Sequence, residues 1–208
     1  MINQGNIFII SAPSGVGKSS LIKYFLKKEK KINITKSISY TTRKIRSKEK
    51  NKLDYYFISK QKFKCMIKKN KFLEYAKVFN NYYGTSLKKI KKILIKGKDI
   101  LLDIDWQGSK QIKKIFPFSK SIFLLPPSKK ELLNRLYYRN QDKRSVILKR
   151  MKNFFNDMIH YLEYDYLIIN DNFKNSISDL QSIVYSEKLL TQYQNIRYKK
   201  LINNLLKK

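Results

Sequence analysis

Between the apolar run Ile7-Phe8-Ile9-Ile10 and the helix-like segment Leu21 to Leu26 stands Ser11-Ala12-Pro13-Ser14-Gly15-Val16-Gly17-Lys18-Ser19-Ser20. A buried strand, a glycine-bearing loop and a helix start, in that order, describe a phosphate cradle. Backbone N–H groups and the positive end of the helix surround a triphosphate, Lys18 reaches its outer phosphates, and Ser19 offers its hydroxyl to Mg²⁺. Residues Ala12, Pro13, Ser14, Gly15, Val16, Gly17, Lys18 and Ser19 are therefore the candidate triphosphate site. The strict pattern has glycine where Ala12 stands, so the turn there must tolerate a Cβ.

The rest of the chain alternates strand and helix patterns around that loop, as a parallel α/β sheet requires. Ile34 to Tyr40 alternates as one strand, and a polar loop follows to Lys52. Asp54 to Ser59 is β-like, Lys60 to Asn70 has helical spacing, and Phe72 to Phe79 returns to strand. This predicts a mixed β/α insertion over 35–86. An amphipathic helix then stops at Gly97. Ile100-Leu101-Leu102-Asp103-Ile104-Asp105 reads as a buried parallel strand that delivers two carboxylates to one side, since strand neighbours alternate faces, the alternative being that both acids cap the next helix. Ser121 to Leu125 is a further strand. Ser128 with Glu131 forms a capping box for the next helix. The polar break Arg139 to Arg144 reads as a lid, Asp165 to Asn170 as a last strand, and the remainder as one long helical segment, broken or not.

Length suits one domain: core over 1–34, 87–127 and 158–208, the insertion over 35–86, and a lid over 128–157. No apolar run reaches the length of a membrane span. Cys65, the single cysteine of 208 residues, suits a reduced, cytoplasmic setting and a bland role. His160, equally alone, reads as an ordinary helix residue.

The net charge of +31 raises nucleic acid as a partner. The lysines are nevertheless spread along every segment instead of forming one stripe, so such binding is expected to be incidental and salt-sensitive. The same bias makes the exceptions informative. Of 46 basic residues only seven are arginine, at 43, 46, 135, 139, 144, 150 and 197, and a planar fork of donors does bidentate work that lysine cannot.

A second set of motifs decides the acceptor. Thr41-Thr42-Arg43-x-x-Arg46-x-x-Glu49, Tyr55-x-Phe57, Asn81-Tyr82-Tyr83-Gly84-Thr85, Leu102-Asp103-Ile104-Asp105-Trp106-Gln107-Gly108 and Tyr164-Asp165-Tyr166-Leu167-Ile168-x-Asn170-Asp171 follow the loop. In that order, and over nearly the whole chain, they resemble the guanylate kinases. The resemblance implies a P-loop parallel sheet flanked by helices, an inserted GMP-binding subdomain and a helical lid. It implies transfer of the ATP γ-phosphoryl group to GMP, with Mg²⁺. It assigns Ser39, Arg43, Arg46, Tyr55, Glu74, Tyr83, Thr85 and Asp105 to GMP, and Arg135 and Asn170, with Asp171 nearby, to ATP. Lys18, Arg46, Arg139 and Arg150 are the catalytic cations, and Ser19 holds Mg²⁺ with Asp103 acting through water.

The chemistry agrees. Guanine presents two donors, N1–H and the exocyclic amine, and ionised carboxylates only accept. Glu74 and Asp105 therefore suit guanine, whereas adenine N1 would face them with a lone pair. An interaction module built on the same fold would have lost the loop and the lid arginines, and this chain retains Lys18, Ser19, Arg139 and Arg150. Relative to the family, Lys48 and Lys52 stand where glycines are usual in the acceptor loop, Ile45 and Ser47 where prolines are common, and Asn140 where the lid has glycine.

Overall fold

The computed structural model describes residues 5–29, 32–47, 49–138 and 144–207. β1 (Ile7–Ser11) is buried along its whole length, and its side chains alternate between two cores. Phe8 and Ile10 join one apolar cluster, and Ile7 and Ile9 the other. A strand apolar on both faces must lie inside a sheet covered on both sides, and β1 does: it pairs in parallel with β7 (Asp99–Asp103) and β8 (Lys120–Leu125). β2 (Ile34–Lys36) and β9 (Tyr166–Ile169) complete the five-stranded parallel sheet, order β2-β7-β1-β8-β9.

One face is covered by α1 (Lys18–Lys28), α5 (Lys129–Tyr138), α6 (Arg144–Met158) and α7 (Phe173–Lys188), through Leu21, Phe25, Leu136, Ile147 and Leu180. The other is covered by α3 (Leu87–Ile95) and α4 (Trp106–Ile115), through Ile90, Leu94 and Ile112. Each of these buried apolar side chains contributes about 1.5–3 kcal/mol. The tail is broken into α7, α8 (Thr191–Arg197) and α9 (Lys199–Leu205).

The insertion forms a second sheet. It contains β3 (Tyr40–Thr41), β4 (Tyr56–Phe57), β5 (Phe72–Val78) and β6 (Asn81–Ser86), in the order β4-β3-β6-β5, with α2 (Lys60–Lys68) beside it. The single strand expected over Ile34 to Tyr40 is thus two. β2 belongs to the core sheet and β3 to the insertion, with Ser37-Ile38-Ser39 carrying the chain between them. Gln111 of α4 ties the second sheet to the core: its amide donates to Tyr75 O at 2.8 Å and accepts from Tyr75 N–H at 3.1 Å.

Two further expectations change at helix starts. The strand ends at Asp103, so alternation does not carry through to Asp105, which instead is the N-cap of α4 and accepts from Gly108 N–H at 3.0 Å. Ser128 accepts from Glu131 N–H at 3.0 Å, the first half of a capping box, while the Glu131 carboxylate turns to Arg135 at 2.8 Å. Among the described residues no helix is long and apolar enough to cross a membrane.

Candidate active site

The phosphate loop leaves the sheet at Ser11 and enters α1 through Gly17, whose φ of 105° lies in the left-handed region. A Cβ there would also stand 2.7 Å from Asn170 Nδ2, so glycine is required twice over. Ala12 is not among the residues with positive φ, which is why the turn accepts its methyl group. Asn170, buried at the end of β9, donates to Val16 O at 2.7 Å and thereby fixes the loop from behind. Arg135 does the same from α5, giving Nη1 to Val16 O at 3.2 Å and to Asn170 O at 2.9 Å. Beside them a cavity of about 240 Å³ opens between Val16, Gly17, Ser20, Arg135, Asp171 and Phe173. Arg150 reaches across from α6, nearly buried, and donates to Ser14 Oγ at 2.9 Å.

Lys18 lies inward of the loop. Its ammonium is 2.9 Å from Asp103 Oδ1 and donates to Ile104 O at 3.1 Å. The other oxygen of Asp103 faces Lys36 Nζ at 2.9 Å. Burial alone would raise the Asp103 carboxyl, but the two lysines hold it well below the usual carboxylate range. Ser19 is exposed at the first turn of α1. Among the described residues no group of three or more acidic, His or Cys side chains could hold a metal unaided. A metal carried in on a triphosphate asks for much less from the protein, and the exposed Ser19 hydroxyl at the start of α1 suits that need.

The acceptor residues lie on and around the second sheet, with Glu74 on β5 and Tyr83 and Thr85 on β6. Ser39 Oγ and Thr85 Oγ1 are both buried and 3.1 Å apart. Thr85 pairs in register with Glu74, a residue only 3% exposed. Burial pushes Glu74 up to about 7, and the nearby charge of Asp105 pushes in the same direction. Glu74 presses on α4 where Gly108 stands, since a Cβ at Gly108 would be 2.6 Å from Glu74 Oε2. Asp105, capping that helix, brings a second carboxylate to the same place.

A few residues away, Arg43 lies over the ring of Tyr55 at 5.6 Å and of Phe57 at 5.7 Å. The Tyr55 and Tyr83 rings meet edge-on at 6.0 Å. One carboxylate organises the arginines: Glu49 Oε1 accepts from Arg43 Nη2 at 2.6 Å, and Oε2 accepts from Arg46 N–H at 2.9 Å. Between the two halves Asp157 of α6 faces Asp105 and Lys18, and its carboxyl is raised to about 6, chiefly by burial. His160 is not a helix residue: it follows α6 in a turn and stacks on Trp106, with ring centroids 3.7 Å apart.

The guanylate kinase family model matches residues 4–187. The chain belongs to the guanylate kinase family. A guanylate kinase of Buchnera aphidicola subsp. Schizaphis graminum is 56% identical over 206 residues, 99% of this chain and all of that one. That of Escherichia coli O157:H7 is 48% identical over 203 residues, 98% of each. The crystal structure of guanylate kinase from Anaplasma phagocytophilum superposes with a TM-score of 0.76 at 32% identity, covering 91% of this chain and 89% of that one.

Within this guanylate kinase fold Ser39, Glu74, Thr85 and Asp105 form one group, Arg43, Arg46, Tyr55 and Tyr83 gather around Glu49 in a second, and Arg135, Arg150 and Asn170 meet the loop at Ser14 and Val16 in a third, while Arg139, with Lys48 and Asn140, lies outside the described residues. Lys52 keeps the backbone a glycine would take there, with φ 68°. Three residues at the site carry no role in the motif assignments: Glu49, Lys36 and Asp157. Glu49 was visible in the Arg43, Arg46, Glu49 spacing, every third residue around one turn of loop. Lys36 carried no signal, being one lysine among many.

Proposed function

We propose that this guanylate kinase fold performs its family's reaction, the transfer of the ATP γ-phosphoryl group to GMP to give ADP and GDP. The observation that carries the reading is Glu74: a buried carboxyl beside the hydroxyls of Thr85 and Ser39, with the charge of Asp105 nearby, suits a ligand rich in donors. Guanine N1–H and its amine donate to Glu74 and Asp105, while the hydroxyls of Ser39 and Thr85 meet the remaining polar edge. Arg43 and Arg46, pre-set by Glu49, take the GMP phosphate together with the phenols of Tyr55 and Tyr83.

On the donor side, the loop 12–19 holds the triphosphate through its backbone N–H groups, and Asp171 and Phe173 border the space for the base. Mg²⁺, bound with ATP at Ser19 and backed by Asp103 through water, would neutralise the charge on the β- and γ-phosphoryl oxygens. The protein's share is alignment and charge. A GMP phosphate oxygen attacks the γ-phosphorus in line, and the ADP oxygen leaves as the bond to it breaks. Lys18, Arg46, Arg139 and Arg150 balance the charge spread over the equatorial oxygens. Closure of 128–157 over the loop, led by Arg150 on Ser14, and of 35–86 toward it excludes water.

The decisive test supplies ATP and Mg²⁺ with GMP, AMP, CMP or UMP in separate reactions. ADP should form with GMP far faster than with the others. Equal turnover of AMP would remove the guanine assignment.

A further inference from the structure

Strand geometry alone brings Lys36 to Asp103. Lys36 ends β2 and pairs in register with Leu101 of β7. Leu101 and Asp103 lie on one face of their strand, two residues apart, so the side chain of Lys36 rises diagonally beside Asp103. The result is one carboxylate, 7% exposed, between two ammonium groups at 2.9 Å, Lys18 on one oxygen and Lys36 on the other. Such a cluster carries one net positive charge and holds two like charges close together.

Lys18 has two demands on it. In this arrangement it is bound to Asp103 and to Ile104 O, whereas the lysine of a phosphate loop acts on the outer phosphates. Moving it outward would strip a buried carboxylate of its counter-ion, which is strongly unfavourable. With Lys36 in place Asp103 keeps a partner, and repulsion between the two ammonium groups favours departure of the one that has an anion to meet. We propose that Lys36 is a positioning residue that sets ATP affinity through Asp103 by releasing Lys18 to the phosphates. The inference rests on reading the loop as the ATP site, and it is independent of which nucleotide accepts.

Calorimetric titration with Mg·ATP, no acceptor present, measures the effect directly. Lys36→Met should raise the Kd for ATP about tenfold, as expected for groups coupled in one ion-pair network, and Lys36→Arg should restore most of it. In steady-state assays KM for ATP should follow Kd while KM for GMP stays within about twofold. In an Asp103→Asn background Lys36→Met should have no further effect on ATP binding. Unchanged affinity in Lys36→Met overturns the proposal. So does a parallel rise of both KM values, which would mean that Lys36 merely seats the linker 37–39. An undiminished effect in the Asp103→Asn background would mean that Lys36 attracts ATP directly. Should Lys36→Met fail to fold, Lys36→Gln takes its place in the same cycle. Failure of the wild type to phosphorylate GMP would count against the assigned reaction and leave these binding results standing.

Discussion

The phosphate loop hangs from β1, whose five residues are all buried, and is gripped from behind by Asn170 and Arg135 through backbone carbonyls. The acceptor site takes Glu74 from β5 and Tyr83 and Thr85 from β6 of the second sheet, and its other residues from loops, and it keeps its shape through side-chain bonds: Ser39 to Thr85, and Glu49 to the Arg43 guanidinium and the Arg46 N–H. The first is a backbone device braced by the core. The second is a side-chain device braced by its own polar network. A backbone cradle serves any nucleoside triphosphate and fails when its charge is removed, whereas a side-chain pocket names one acceptor and fails piecewise, one contact at a time.

If that contrast is right, the largest effect comes from the loop. Lys18→Ala should lower kcat about 10³-fold or more, because it removes a cation from the transferring phosphoryl group and strands Asp103 with Lys36. Single-turnover measurement with saturating ATP and GMP checks it; a change in KM alone would show that Lys18 only binds.

Next is Glu74→Gln, which should cost about 10²-fold in kcat/KM for GMP, the worth of a hydrogen bond to a charged group, and leave KM for ATP unchanged. The wild type should show the same group titrating. Glu74 has its carboxyl raised to about 7, and guanine requires the ionised form. KM for GMP should therefore fall as pH rises toward 7 and level off above it, changing about tenfold per pH unit on the acid side. Stability without ligand runs the opposite way. A carboxyl whose folded value is raised contributes stability below its ordinary range and loses it as pH rises through about 7. Both trends should be absent in Glu74→Gln; their persistence would place the titrating group elsewhere.

The same contrast explains what could be read in advance. The loop is a local motif, and local spacing suffices for it: strand, turn glycines, lysine and hydroxyl all lie within fourteen residues of sequence, and β1, the left-handed Gly15 and Gly17 and the start of α1 at Lys18 stand where that spacing puts them, with the Lys18 ammonium turned inward to Asp103. The parallel core was equally legible in Ile7 to Ile10 and Ile100 to Leu102, because continuous apolar runs have few other places to go. The insertion was legible as β-rich, yet Ile34 to Tyr40 reads as one strand although β2 and β3 belong to different sheets, since alternation reports a pleat and not the sheet it joins. β6 escaped because tyrosines, a glycine and polar residues leave no alternation to find. Alternation places Asp105 on a strand face, but the pleat ends at Asp103, two residues earlier, and Asp105 caps α4. Lys36 was invisible, for pairing across strands is a property of register and not of composition.

A smaller effect should follow from Glu49→Gln. It touches no reacting atom, but its two oxygens hold the Arg43 guanidinium and the Arg46 backbone in place. Losing the charge should raise KM for GMP about tenfold with kcat less affected. A guanosine inhibitor lacking the phosphate should bind the variant and the wild type alike. Equal weakening of guanosine would mean that Glu49 supports the whole subdomain, not the phosphate clamp.

The smallest effect concerns backbone alone. Lys52 sits at φ 68°, its N–H bonded to Tyr55 O at 2.8 Å, in the turn that sets Tyr55 beside Arg43. A left-handed conformation costs a residue with a Cβ about 1–2 kcal/mol, while glycine costs about 0.4–1 kcal/mol in added freedom of the unfolded chain. Lys52→Gly should therefore stabilise the protein by on the order of 0.5 kcal/mol, a rise of about 1–2 °C in Tm, and change KM for GMP by less than about twofold. A fall in Tm would show that the lysine side chain contributes more than the strain it imposes. A pocket held by side-chain bonds absorbs such a residue because Tyr55 and Glu49 are fixed by their own partners. The phosphate loop has no such slack: at Gly17 the same Cβ would meet Asn170, which is itself what holds the loop.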